Sequence, residues 1–153
     1  MNSYKNFLPD LFFNKLNNIV ISNNFPWYFY NKTVRNKLLE NDNNFMFTHV
    51  LCDTEFDIVS EKNIKTEEKS NLFKIFEPIQ YFLDKKFKVN QLLRMKLNLY
   101  TNQHKNIKHA SHRDYADPTN QNPTIGLLNF TTCDGGTNIN KKIYQSKENQ
   151  ILI

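Results

Sequence analysis

Apolar positions along the chain change from a helical to a strand-like spacing near residue 90. Between Leu72 and Leu83 they recur at intervals of three and four residues, which predicts an amphipathic helix packed on a flat surface. Pro78 predicts a kink or a split within that helix. From Leu93 to Tyr100 apolar and polar residues alternate, which predicts a strand. The helical spacing thus ends near residue 90, and strand-like alternation follows it.

Shorter segments predict the remaining elements. Pro9 and Asp10 could open a helix, and Thr33 could cap another one through Leu39. The polar run 53–70 is expected to be a solvated loop. Strands are predicted for 19–21, 45–52, 109–115, 124–131, 138–144 and 149–153.

These patterns predict one domain of the α+β class. The 153 residues suffice for one hydrophobic core and are too few to expect two domains. Residues 1–90 would form a helical and strand half, and residues 91–153 would form antiparallel strands joined by short turns. Such an order favours a sandwich or barrel that carries helices on one sheet.

Composition and charge narrow the function classes. The net charge is +5, but only three of the 20 basic residues are arginines and acidic residues lie among them, which argues against a nucleic-acid partner. No apolar run has the length of a membrane helix, and the N-terminus lacks a signal-peptide pattern, so a cytoplasmic protein is expected. Cys52 and Cys133 lack disulfide or zinc spacing and are expected to be small buried apolar residues.

The segment HASHRDYADP contains the most specific chemical pattern. On a strand, His112 and Asp114 point to one face while Arg113 points to the other, so the imidazole and the carboxylate could bind one metal ion. With a second histidine they would form the facial triad of non-haem Fe(II) oxygenases. The spacing alone favours an ordinary surface histidine and aspartate at a strand end.

The order of the motifs adds a resemblance. Residues 92–153 resemble the jelly-roll half of 2-oxoglutarate- and Fe(II)-dependent oxygenases, in the branch similar to prolyl 4-hydroxylases and their phage-borne relatives. RMKLNLYT resembles the strand that carries a cosubstrate-facing tyrosine, KHASHRDY the His-x-Asp strand, and TIGLLNFTTCDGGTNI the next strand with its Gly-Gly-Thr turn. Upstream, FPWYFYNKTV and FMFTHVLCD resemble N-terminal segments of the phage-type members.

The resemblance implies a fold and a chemistry. The fold would be a double-stranded β-helix (jelly-roll, cupin-like) with N-terminal helices packed on one sheet. His112 and Asp114 would bind Fe(II), Tyr100 would contact 2-oxoglutarate, and an unknown substrate would be hydroxylated in the cytoplasm of a bacterium or a phage-infected host. Gly135 and Gly136 would supply the positive φ of a tight turn.

The chain departs from the family after its last predicted strand. The family's distal histidine and its basic residue for 2-oxoglutarate lie on strands beyond the one that NQILI resembles, and no histidine follows His112. The last strands are therefore expected to be missing, which would leave strand edges able to pair with a second copy as a homodimer. His49 and His104 are expected to be packing or surface residues, and His109, on the opposite strand face from His112, would need a β-bulge to turn inward.

A second interpretation stays open at this point. The same fold could serve as a non-catalytic binding or structural protein, including a viral one, because jelly-rolls have both uses.

Overall fold

The computed structural model describes residues 1–31, 44–56, 65–89, 91–104, 107–109 and 123–153. The predicted helix at 33–39 lies outside the described residues, as does all but the first residue of the predicted strand at 109–115. In chain order the elements are β1 (Ser3–Tyr4), α1 (Asp10–Val20), β2 (Tyr28–Tyr30), β3 (Met46–Phe56), β4 (Lys65–Lys69), α2 (Phe73–Phe76), α3 (Pro78–Phe87), β5 (Arg94–Leu99), β6 (Leu127–Asn129), β7 (Gly136–Ile139), β8 (Lys142–Gln145) and β9 (Gln150–Leu152).

These elements group into two compact units. The first is built mainly from Met1–Asn23 and the strands β6 to β9, and the second mainly from Asn24–Asn102. The boundaries of these two units differ from those of the predicted halves, 1–90 and 91–153. The expectation of one domain stays a prediction.

Helix α1 belongs to the first unit and has one buried side. Asp10 lies in its first turn, where a carboxylate interacts favourably with the helix dipole, and Phe13, Leu16 and Val20 are buried along one side. The helix runs through residues 19 and 20, so the prediction of a strand at 19–21 is wrong. The three residues were too short a run to compete with the helical spacing of the buried positions.

The C-terminal strand β9 lies in the middle of a three-stranded antiparallel sheet. Its neighbours are β1 on one side and β6 on the other. Ile151 and Leu152 are 2% and 0% exposed, so both contribute to the core of this unit. Because β9 is hydrogen-bonded on both sides, it offers no free edge to a second copy.

Asn149 joins the two ends of the first unit. Its Oδ1 accepts a hydrogen bond from the Leu8 N–H at 2.9 Å, and its Nδ2 donates one to the Leu8 carbonyl at 2.8 Å. Its own carbonyl accepts from the Phe7 N–H, and its N–H donates to the Asn129 carbonyl. Asn149 has a φ of 52°, a conformation that asparagine tolerates better than most residues.

The hairpin of β7 and β8 turns at a different place from the predicted glycines. Asn140 and Lys141 are the two loop residues, and their φ values of 50° and 67° fit a two-residue hairpin turn. Neither Gly135 nor Gly136 has a positive φ, so the prediction of a Gly-Gly turn is wrong. Gly136 instead lies in β7, where a Cβ would come within 2.6 Å of the Tyr144 carbonyl oxygen.

Strand β3 organises the second unit. It pairs with β5 along one edge, while β2 and β4 pair with the two ends of its other edge, and all three pairings are antiparallel. Strand β4 and the last residues of β3 lie within 53–70, so the prediction of a loop there is wrong at both ends. Strand β4 has the sequence KTEEK, a composition that natural edge strands use to discourage association.

A β-bulge interrupts the pairing of β3 with β5. Val50 pairs with Lys96 and Cys52 pairs with Met95, so Leu51 is the extra residue. Its side chain is fully buried, and its carbonyl accepts a hydrogen bond from the Ser70 N–H.

The amphipathic helix is split at Pro78, as the sequence predicted. Pro78 is the first residue of α3, a position where the missing N–H costs no helical bond. Phe73 and Phe76 on α2 and Ile79 on α3 are buried.

The α+β class with antiparallel pairing is confirmed, whereas the jelly-roll remains a proposal. The structure assigns α1 to the first unit and α2 and α3 to the second. None of the helices in the described part of the chain has the length and apolar content needed to cross a bilayer.

Candidate functional site

The predicted metal ligands lie outside the described residues. His112 and Asp114 both fall within residues 110–122. Tyr100, the predicted cosubstrate-facing residue, follows β5 directly and is 47% exposed. Its ring packs against the imidazole of His109, with ring centroids 4.9 Å apart.

His109 is partly buried beside Tyr100. Its Nδ1 is shielded from solvent and has no hydrogen-bond partner among the residues that the structure describes. No group of three or more histidine, cysteine, aspartate or glutamate side chains is placed to hold a metal within those same residues. His104 is exposed and has a φ of 59°.

The two cysteines have different environments. Cys52 is buried at 3% exposure, which confirms the prediction, and Cys133 is exposed, which contradicts it. Cys133 precedes the β7–β8 hairpin, where the chain has little apolar cover. Neither is disulfide-bonded.

The most complete polar arrangement in the described residues surrounds His49 on β3. The side chain is 4% exposed, and both ring nitrogens have partners. Nδ1 lies 2.8 Å from the Pro26 carbonyl oxygen, and Nε2 lies 2.7 Å from Ser70 Oγ. The Leu72 N–H donates to the same Ser70 Oγ at 3.1 Å.

These partners determine the tautomer of the neutral imidazole. A carbonyl oxygen can only accept, so Nδ1 must carry the proton and donate it to Pro26. Nε2 is then a bare acceptor, and the Ser70 hydroxyl must donate to it. His49 therefore holds Ser70 in the orientation of a serine whose proton points at a base.

Aromatic rings enclose the imidazole. Its ring centroid lies 5.2 Å from that of Phe25 and 5.6 Å from that of Tyr28. Phe25 is buried and also contacts Trp27 and Phe76. This packing restricts rotation of the imidazole, so the orientation of Nε2 towards Ser70 is fixed by contacts as well as by hydrogen bonds.

Ser70 lines an open cleft of about 480 Å³, which we call the His49 cleft. Its lining residues are Pro26, Tyr28, His49, Val50, Lys69, Ser70, Asn71 and Leu72. Lys69 also lies over the ring of Phe73, with Nζ 4.8 Å from the centroid. The cleft has a size within the usual range for small-molecule sites.

The sequence did not reveal this pairing. His49 was expected to be a packing or surface residue, and its burial agrees with packing. Ser70 lies three residues before the first residue of α2, in a region where a serine ordinarily accepts from the N–H groups that begin a helix. The two residues are far apart in sequence and form no recognisable motif, so only the antiparallel pairing of β3 with β4 brings them together.

Comparison with known proteins adds no relative: the chain matches no family model, no curated protein and no solved structure.

Proposed function

We propose that the protein is an Fe(II)- and 2-oxoglutarate-dependent dioxygenase that hydroxylates a substrate, with His112 and Asp114 as metal ligands. The proposal rests on the order of the motifs along the chain. The contact of Tyr100 with His109 is the observation that supports it best, since His109 is three residues before His112. A cosubstrate-facing tyrosine beside the His-x-Asp segment is what the resemblance implies.

The donor types suit the proposed metal. One imidazole and one carboxylate are two of the three ligands of an Fe(II) facial triad. His49 does not offer the third ligand in this conformation, because both of its ring nitrogens are engaged. The shielded Nδ1 of His109 is a donor atom that lacks a partner among the described residues. The third ligand is left unassigned.

With bound Fe(II), 2-oxoglutarate and dioxygen would supply the oxidation: one oxygen atom would enter succinate as 2-oxoglutarate loses carbon dioxide, and the other would become the hydroxyl group of the substrate. The residues of the chain would bind and orient. His112 and Asp114 would hold the metal, and the Tyr100 hydroxyl would donate a hydrogen bond to the cosubstrate. About half of the surface of Tyr100 is exposed.

The test is binding of Fe(II) with 2-oxoglutarate under anaerobic conditions. We expect a visible charge-transfer absorption band that disappears in His112→Ala and persists in His104→Ala, a matched histidine outside the motif. Succinate, measured by mass spectrometry after oxygen is admitted, should follow the same pattern. A folded chain that gives neither the band nor succinate would contradict the proposal and favour the non-catalytic jelly-roll.

A further inference from the structure

We propose that Ser70 and His49 form a nucleophilic site, separate from the His112 and Asp114 motif, that reacts with small carboxylic esters. Ser70 would be the nucleophile and His49 its general base. This activity is independent of the proposed dioxygenase.

The geometry meets the requirements for a serine nucleophile. Ser70 Oγ and His49 Nε2 are 2.7 Å apart, within the range for proton transfer along a hydrogen bond. The Pro26 carbonyl accepts from His49 Nδ1 at 2.8 Å and thereby has the orienting role that a third group takes in such sites. A carbonyl oxygen also stabilises the positive charge that the imidazole acquires when it takes the proton.

The hydroxyl retains an electron pair for attack. A serine oxygen has one proton and two lone pairs. The proton is donated to His49, and one lone pair accepts from the Leu72 N–H. The second lone pair has no hydrogen-bond partner among the residues that the structure describes, and Ser70 lines the His49 cleft.

The lining of the cleft indicates the ligand class. Pro26, Tyr28, Val50 and Leu72 present carbon surface, which suits a short acyl chain. Lys69 and Asn71 line the same cleft, and their side chains have N–H groups, the type of donor that stabilises a carbonyl oxygen as it becomes negatively charged. A volume of about 480 Å³ is sufficient for a small ester.

The reaction balances with water as the only co-reactant. Ser70 Oγ bonds to the ester carbonyl carbon as its proton passes to His49 Nε2. The carbon–oxygen bond to the leaving group then breaks, and His49 gives that proton to the departing alcohol. Water attacks the acyl-serine with His49 again taking a proton, and release of the acid returns the proton to Ser70.

The experiment treats the full chain with a fluorophosphonate, which serine nucleophiles attack with loss of fluoride, and maps the adduct by peptide mass spectrometry. We expect a single adduct on Ser70 in the unsubstituted protein. Ser70→Ala should abolish labelling, while Ser22→Ala, which removes an exposed serine elsewhere, should leave it unchanged. His49→Gln should slow labelling about 100-fold or more, the usual contribution of a general base.

Labelling of the unsubstituted chain tests the proposed nucleophile even if a variant fails to fold. A folded native chain with no adduct on Ser70, or with equal labelling of Ser22, would overturn the proposal. A Ser70→Cys variant gives an independent reading, because a thiol beside His49 should be alkylated by iodoacetamide faster than the exposed Cys133 of the same molecule. Alkylation of Cys133 alone would likewise count against the site.

Discussion

Asn149 in the first unit and His49 in the second are buried to the same extent, each 4% exposed, yet their bonds differ in kind. Both side-chain bonds of Asn149 go to the backbone of Leu8. His49 bonds to one backbone carbonyl and to a hydroxyl that adjoins a cleft. Equal burial therefore does not imply an equal role.

The difference in hydrogen-bond partners indicates a structural role for Asn149 and a chemical role for His49. A buried amide bonded only to main-chain atoms can do nothing but hold the chain together, since each of its partners is fixed. A buried imidazole bonded to a side-chain hydroxyl can exchange a proton with it. Substitutions in the first unit should thus change stability, whereas substitutions around His49 should change reactivity more than stability.

The largest loss of stability is expected for Asn149→Ala. The Leu8 N–H and carbonyl would both lose their partners, at about 1–3 kcal/mol for each buried group, and alanine is less suited to a φ of 52°. We expect the free energy of unfolding to fall by about 2–5 kcal/mol in urea titrations followed by circular dichroism. The exposed Asn138 is the control. Asn138→Ala should change the free energy of unfolding by less than about 0.5 kcal/mol. If the two substitutions lowered the free energy of unfolding equally, the structural role of Asn149 would be contradicted.

Gly136→Ala should come next in size. Its Cβ would lie 2.6 Å from the Tyr144 carbonyl oxygen, a backbone atom that can yield only if the hairpin shifts. We expect a loss of about 1–3 kcal/mol in the same titration. Gly126→Ala is the matched substitution, because its Cβ would meet Ile151 at an ordinary 3.5 Å. That variant should be neutral or slightly more stable, and a loss as large as that of Gly136→Ala would contradict the steric explanation.

Ser70→Ala tests the second unit, where we expect a change in reactivity more than in stability. It removes the donor to His49 and the acceptor for the Leu72 N–H, but Ser70 is only partly buried, so water can replace these bonds in part. We expect a loss of about 1–2 kcal/mol in the free energy of unfolding, together with complete loss of fluorophosphonate labelling. A stability loss equal to that of Asn149→Ala would make Ser70 chiefly structural.

The smallest effect is expected for Asp53→Asn. Asp53 Oδ2 lies 3.1 Å from Arg94 Nε across the β3–β5 pair, but the hydrogen-bond geometry is not met, and both side chains are 25% exposed. Such pairs contribute about 0.2–1 kcal/mol and are weakened by salt. The difference in unfolding free energy between Asp53→Asn and the unsubstituted chain should shrink when urea titrations are repeated in 1 M salt. A difference above 1 kcal/mol that is independent of salt would indicate a larger role.

The fold was predictable where one spacing dominated. The split helix at Pro78 and the strand β5 follow directly from periodicity, and β3 was predicted from its aromatic and β-branched residues. The strand β4 did not, because KTEEK has the composition of a solvated loop and becomes a strand only by pairing with β3. The turn at Asn140 and Lys141 was missed for a related reason, since nearby glycines are a stronger turn signal than asparagine followed by lysine.

The candidate sites divide in the same way. The His-x-Asp pair can be recognised from the sequence because its two residues are close together along the chain. As a metal site it stays a prediction. The pairing of His49 with Ser70 depends on strand register and on the position of a carbonyl at Pro26, which no local pattern encodes.

The extra residue in β3 changes which positions of this strand share a face. Val50 pairs with Lys96 and Cys52 with Met95, and the two residues of β5 are adjacent, so they point to opposite faces. Val50 and Cys52 therefore also face opposite ways, although they are two positions apart, because Leu51 is inserted between them. Deleting Leu51 would keep these facings but would remove a buried side chain and the carbonyl that accepts from the Ser70 N–H. A shorter β3 is thus compatible with the pairing to β5 but would lose the backbone bond that anchors Ser70 beside His49.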